Sequence, residues 1–259
     1  MKQPHTLSLD SVTVQYPNGF EAVRDFSLQI HQGDRVGLVG ESGSGKSSIA
    51  KAILGLVQPS SGAISIDGID FIENTTQRRQ ARARLVQIIF QDPYNSLNPR
   101  RTIAQSLAEA LGVQDRSMDA ETIKLRSIQL LQSVKIGSDA LTRYPHQFSG
   151  GQRQRICIAR ALAPNPKLLV CDEAVSALDV TTQRSITQLL LDLGERLGIA
   201  MLFITHDIPV VERLCNRVLV LDSGSLVESG VTSEVFSKPQ HPKTIKLLQS
   251  VLKICETDK

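Results

Sequence analysis

Two periodicities divide this chain. Residues 6–16, TLSLDSVTVQY, place an apolar side chain at nearly every second position, the spacing of a strand with one face in a core. PNG at 17–19 reads as a turn, and AVRDFSLQI at 22–30 resumes the alternation. RVGLVG at 35–40 is a short apolar strand running into a glycine-rich loop. SSIAKAILGLV at 47–57 then sets Ile49, Ile53 and Leu56 on one side of a helix. PSSG stops that helix, and AISIDGID at 63–70 returns to a period of two. The opening third of the chain therefore predicts antiparallel strands around one strand–loop–helix unit.

From Pro93 to about Pro164 helical spacing dominates: TIAQSLAEAL at 102–111, ETIKLRSIQLLQSV at 121–134 and GGQRQRICIARALA at 150–163. KLLVCDE at 167–173 is nearly all apolar until its last residues, as a central parallel strand covered on both faces is. A helix at 183–197, an apolar strand AMLFITH at 200–206, two further strands (RVLVLDSG and SLVESG) and a short basic helical tail at 235–259 complete the pattern. The prediction is an α/β fold with a mostly parallel sheet, an N-terminal antiparallel β part and an inserted α-helical subdomain. Neither an internal repeat nor a low-complexity segment is present.

Composition narrows the function classes. The chain has 259 residues, 41% hydrophobic and 21% charged, enough for one large domain with a sub-lobe. A net charge of +3 is too small to argue for nucleic acid or an anionic membrane. Cys157, Cys171, Cys215 and Cys255 are scattered without a C-x-x-C pair, which favours reduced, buried thiols over a metal site or disulfide framework. The N-terminal MKQPHTLSLDSV has neither the pattern of a secretory signal nor that of a membrane span. No apolar run reaches the ~18 residues that cross a bilayer, so a membrane role has to come through partners.

Candidate chemistry sits at three strand ends. Gly40-Glu41-Ser42-Gly43-Ser44-Gly45-Lys46-Ser47 fits G-x-x-x-x-G-K-[ST] between a predicted strand and a predicted helix. Glycines let backbone N–H groups turn toward phosphate oxygens, and the helix N-terminus adds partial positive charge. Lys46 is then positioned for the β and γ phosphates, and the Ser47 hydroxyl for Mg2+. The apolar run 168–171 ends in Asp172 and Glu173, at the strand end where open parallel sheets bind ligands. Asp172 suits the Mg2+ shell through water, and Glu173 suits polarisation of an attacking water. His206 ends the later apolar strand on the same predicted edge and is a γ-phosphate contact. Gln91, where core meets helical insertion, is a sensor of Mg2+ or water. Each feature alone also fits a plain structural turn; their common edge is what favours chemistry.

A second glycine loop, QFSGGQRQR at 147–155, has no lysine. With it the chain resembles the ATP-binding subunit of an ABC transporter, over residues 6 to about 234. Tyr16 matches the aromatic that stacks on adenine, and residues 40–48, ending in Ser48, match Walker A. Gln91 matches the Q-loop, FSGGQ at 148–152 the family signature, and 168–173 Walker B. SALD at 176–179 matches the D-loop and His206 the switch histidine. Phe148 stands where the commonest signature has Leu, and Ala174-Val175 where Pro-Thr is usual. CDEAVSALDV, QDPYNSLNPR at 91–100 and QHPKTIKLL at 240–248 are similar to members serving oligopeptide, dipeptide and nickel importers. Many peptide members carry a longer cysteine-rich C-terminal extension; here only Cys255 lies in the tail, so no iron–sulfur cluster is expected.

The resemblance implies an ATPase domain over 1–234, with core and β part at 1–91 and 161–234, a helical subdomain at 92–160 and a tail at 235–259. It implies ATP and Mg2+ as cofactors and a head-to-tail pairing with a second, paralogous ATPase subunit. In that pairing Ser149, Gly150, Gly151 and Gln152 close on the partner's γ-phosphate, and Asp179 aligns the two sites. Two integral-membrane permeases would hold the subunit at the cytoplasmic face of the inner membrane, touching the groove around Gln91 to Pro99. An extracytoplasmic solute-binding protein would act indirectly. The transported solute would be a peptide, nickel or a metal-chelate. Arg153 and Arg155 are expected as helix-surface charges or intersubunit contacts, not as a nucleic-acid site. Rival readings are a soluble ABC ATPase of translation or DNA repair, a regulatory module with a dead site, and a small-molecule kinase. A kinase leaves FSGGQ and SALD without a role.

Overall fold

The structure is a computed structural model that describes residues 5–257 except Ile72, Asn74 and Ala177, with side chains described as far as residue 249. Strands β1 (Leu7–Gln15), β2 (Glu21–Ile30) and β3 (Arg35–Val39) lead to helix α1 (Lys46–Leu54). Next come β4 (Ser61–Ile66), β5 (Ile69–Asp70), α2 (Thr76–Leu85) and β6 (Val86–Ile89). The helical stretch holds α3 (Pro93–Ser96), α4 (Ile103–Gln114), α5 (Ala120–Ser133) and α6 (Gly150–Leu162), with short 3-10 turns at Ser138–Thr142 and Pro145–Gln147. The chain closes with β7 (Leu168–Asp172), α7 (Val180–Leu197), β8 (Ala200–Ile204), α8 (Ile208–Leu214), β9 (Arg217–Asp222), β10 (Ser225–Val231), α9 (Thr232–Ser237) and α10 (Pro242–Thr257).

The strands form two sheets. The first is antiparallel in the order β2-β1-β4-β5, with Leu9 opposite Leu28 and Leu7 opposite Ile66. The second runs β10-β9-β3-β8-β7-β6, parallel except for the β10 edge. Alternation within the second sheet divides its side chains between two cores. Val36, Leu38, Leu168, Val170, Leu202 and Leu219 face the antiparallel sheet and α1. Val39, Leu169, Cys171, Met201, Phe203 and Val220 face the layer of α6, α7 and α8. Both faces are thus covered, which is why 167–173 and 200–206 read as apolar runs rather than alternations. In α1, Ile49 and Ile53 are 1% and 0% exposed, each contributing about 1.5–3 kcal/mol by burial. Among the described residues no helix is long and apolar enough to cross a membrane.

Several helices have no counterpart in the periodicity. α2, TQRRQARARL, buries no residue fully, so it carries no apolar stripe to detect. Thr75 caps it, and Arg82 fixes it by donating to the carbonyls of Ala52 and Phe71. α8 has seven residues, too few to show a period; Asp207 caps it and Pro209 occupies its first turn. α1 stops at Leu54 rather than running to Val57, because the Gly55 N–H closes on the Ala52 and Lys51 carbonyls. For the site, the register matters most: β8 lies between β3 and β7, all three parallel. Their carboxyl ends open on one edge.

Candidate functional site

The loop between β3 and α1 is shaped by close packing. At Gly45 the backbone sits at φ 106, and a Cβ there would lie 2.4 Å from the Ala22 carbonyl oxygen, so no other residue fits. One residue on, Lys46 is 9% exposed. Its ammonium donates to the carbonyls of Gly40 and Glu41, both at 2.8 Å, and to Ser44 Oγ at 3.4 Å. Burial lowers its pKa, while the nearby charges of Glu173 and Asp172 push it back up. The side chain is thus held inside the loop, under the position the G-x-x-x-x-G-K-[ST] pattern assigns to phosphate.

Asp172 ends β7, and burial, then the charge of Glu173, raise its pKa against the pull of Lys46 and Lys51. Glu173 itself adopts φ 48, a left-handed conformation that costs a non-glycine residue about 1–3 kcal/mol. Its N–H donates to the Ile204 carbonyl at 2.8 Å, which holds the strained turn against β8. Glu173 Oε1 lies 2.7 Å from His206 Nδ1. The glutamate is 23% and the histidine 63% exposed, so the pair sits at the mouth of the edge with the carboxylate on the inner side.

These groups share one cleft of about 890 Å³. Ser42, Gly43, Gly45, Lys46, Ser47 and Ser48 line it from the loop and the first turn of α1, Gln91 from beyond β6, Asp172 and Glu173 from the end of β7 and just past it, and His206 from just beyond β8. Gly40 and Ser44 stand behind this wall, as acceptors for Lys46. Tyr16 is half-buried outside the lining, and its hydroxyl meets Ser48 Oγ at 3.1 Å. Phe20, 58% exposed, does line the cleft. The sequence reading passed over it because PNG marked the segment only as a turn. Phe90 and Asn95 also line the cleft; nothing in the periodicity separates them from the adjoining strand and loop.

The second glycine loop is elsewhere. Ser149, Gly150, Gly151 and Gln152 are not among the cleft residues. Ser149 caps α6, accepting from the Gln152 N–H at 3.3 Å, and Gln152 Oε1 accepts the Ser149 N–H at 3.0 Å. This reciprocal box leaves the N–H groups of Gly150 and Gly151 without helical partners, at the positive end of α6. A Cβ on Gly151 would meet Thr182 Cγ2 at 2.6 Å, so glycine here lets α6 approach α7. Asp179 caps α7 by accepting from the Thr182 N–H at 3.0 Å; of the SALD stretch, Ala177 lies outside the described residues, as does the side chain of Cys255. Cys157, Cys171 and Cys215 are free and buried.

Arg153 corrects the sequence expectation of a helix-surface charge, while Arg155 is half-buried. Arg153 is 6% exposed and donates to the carbonyls of Pro145 at 2.7 Å and His146 at 3.3 Å. Arg155 bridges the Val134 carbonyl and Ser185 Oγ. Carbonyls at the ends of short helices and turns need donors, and a guanidinium supplies several from one side chain. Between them Gln154, fully buried, donates to the Ala174 carbonyl at 2.6 Å, just past Glu173.

The residues fit a magnesium ion. The hard oxygens of Ser47, Gln91 and Asp172 share the cleft, and Asp172 and Glu173 bring two adjacent carboxyl groups to it. Among the described residues no cluster of three His, Cys, Asp or Glu side chains could hold a metal alone. The remaining ligands then come from phosphate and water, as magnesium prefers.

A family profile described as ABC transporter matches residues 23–176. A putative peptide import ATP-binding protein of Brucella ovis is 46% identical over 225 residues, spanning 87% of this chain and 71% of the relative. The glutathione import ATP-binding protein GsiA of Escherichia coli O157:H7 is 50% identical over 230 residues, 89% of this chain but 37% of its own length. Among solved structures, the dimeric ATP-binding cassette MJ0796 bound to ADP and Pi superposes with a TM-score of 0.77 at 30% identity, covering 87% of this chain and 98% of that one.

Proposed function

The chain belongs to the ABC transporter family and is an ATPase, and on that premise we propose that it energises uptake of peptide-type solutes through separate permease subunits. The observation that carries the catalytic part is the gathering of Lys46, Gln91, Asp172, Glu173 and His206 around one cleft. The solute class rests on the printed names of the relatives, which are peptide and glutathione import proteins.

In this reading ATP lies along the Gly40–Ser48 loop, with Tyr16 against the base. Lys46 exchanges its loop carbonyls for β- and γ-phosphate oxygens, and the added negative charge favours its charged form against the cost of burial. Ser47, Gln91 and Asp172 would hold Mg2+, which supplies charge neutralisation on the phosphates when bound. Glu173 Oε1 accepts the proton of the attacking water, and His206, hydrogen-bonded to that carboxylate, holds it in place and reaches the γ-phosphate. Ser149, Gly150 and Gly151 are spare donors with no ligand in their own cleft. They complete the site of a second ATPase subunit in a head-to-tail dimer, and Asp179 aligns the pair. The helical subdomain at 92–160 then moves with nucleotide state and pushes on permeases through the Gln91–Pro99 segment. The subunit would sit at the cytoplasmic face of the membrane, held there by those permeases.

Glu173→Gln keeps the shape and removes the base. In the complex purified through a tag on this chain, it should bind ATP normally and hydrolyse it about 10²–10⁴-fold more slowly. Wild-type turnover by that variant would remove Glu173 from the mechanism.

A further inference from the structure

α6 grips α3 along one stripe. Arg153, Cys157 and Arg160 stand at i, i+4 and i+7, one side of the helix. The Arg153 guanidinium lies over the Tyr94 ring, 3.8 Å from its centroid. Cys157 Sγ is 4.0 Å from the Pro93 carbonyl oxygen, and Arg160 donates to the Ser96 carbonyl. Every partner belongs to α3, the turn that begins two residues after Gln91.

Arg153 does more than hold α3. Its other nitrogens bond the carbonyls of Pro145 and His146, in the 3-10 turn that delivers the chain to Phe148 and Ser149. One buried cation therefore touches the segment after Gln91 on one side and the turn before the signature on the other. Tyr94 is 64% exposed, so the ring that covers the cation is itself open to a docking partner.

We propose that Arg153 is a positioning residue that couples the Gln91–Pro99 segment to the Ser149–Gln152 donors, with Tyr94 as its lever. Movement of Tyr94 shifts the cation, and the cation shifts the two carbonyls that set the direction of Ser149. The inference rests on the proposed closure of Ser149–Gln152 over the partner subunit's ATP, and it adds what orients those donors. Arginine is required because only its planar fork can bond two carbonyls and stack on a ring together.

The test uses the complex purified through a tag on this chain, with ATP affinity measured separately on the isolated chain by a fluorescent ATP analogue. Arg153→Lys keeps the charge but loses the fork and the stack; Tyr94→Ala removes only the exposed ring. Both should lower kcat of the complex by about tenfold, with KM and the isolated chain's ATP affinity unchanged. The two effects should not add in the double variant, and Tyr94→Phe should recover kcat. Because Tyr94 is exposed, loss of folding does not confound that arm. Unchanged kcat in both single variants, additive losses, or a parallel fall in the isolated chain's ATP affinity would overturn the coupling. Ser149→Arg is the control for the parent reading. If it also leaves kcat intact, closure by the signature fails; if it abolishes kcat while Tyr94→Ala does nothing, only the coupling fails.

Discussion

Asp172 carries its carboxylate into a half-buried position beside Glu173, and its pKa is raised by burial and then by that neighbour. A carboxyl group with a raised folded pKa takes up a proton more readily folded than unfolded. Stability therefore improves as pH falls through the raised value, and above it the ionised group is a cost. Asp172→Asn removes that cost. In nucleotide- and magnesium-free protein the variant should melt above the wild type at neutral pH. The gap should close as pH drops to the ordinary carboxylate range, where both side chains are neutral. A variant that melts lower at every pH would show that the carboxylate is stabilising as it stands. At this scale the sequence was informative wherever a residue type and its strand end coincide, as with Lys46, Glu173 and His206. It was uninformative about Arg153. The carbonyls that bond that side chain belong to Pro145 and His146, eight and seven residues back, in a turn without a periodic signature.

Among elements, legibility followed burial. β7 and β8 are covered on both faces and were apparent as apolar runs; α7 shows its stripe through Ile186, Leu189, Leu190 and Leu193. α2 buries nothing fully and left no trace. The tail helix α10 was legible as a helix, but its docking was not, because its anchors are distant in sequence. Glu228 in β10 accepts the N–H groups of Gln240 at 2.9 Å and His241 at 3.0 Å, just before α10 begins. Lys243 pairs with Asp222 at 3.2 Å, and Lys246 with Glu41 of the phosphate loop at 3.0 Å. The last pair is exposed on both sides and contributes little on its own, so Glu228 is the stronger anchor. Glu228→Ala should speed amide hydrogen exchange across residues 242–249 by at least about tenfold, since hydrogen bonds to a charged group contribute ~1.5–3 kcal/mol each. Exchange elsewhere should be unaffected. An unchanged rate over 242–249 would mean that contacts further along α10 hold it.

For the whole molecule, the two glycine loops take different parts. The first lines a cleft together with the acidic and histidine residues, while the second caps a helix outside it. In the proposed function, a site with its phosphate loop and base on one chain, and its last donors outside that cleft, would be completed by another subunit. That division makes a directional prediction about which subunit fails. Ser149→Arg in this chain should leave ATP photolabelling of the same chain intact and abolish vanadate-trapped nucleotide in the other subunit. Lys46→Ala should do the reverse, removing label from this chain and leaving its signature able to serve the partner. The sign of the result depends on the connection being in trans, because Ser149 lies outside the cleft that Lys46 lines in its own chain. Loss of trapped nucleotide from this chain alone under Ser149→Arg would place the signature on its own cleft. The head-to-tail arrangement would then be wrong, whatever the family.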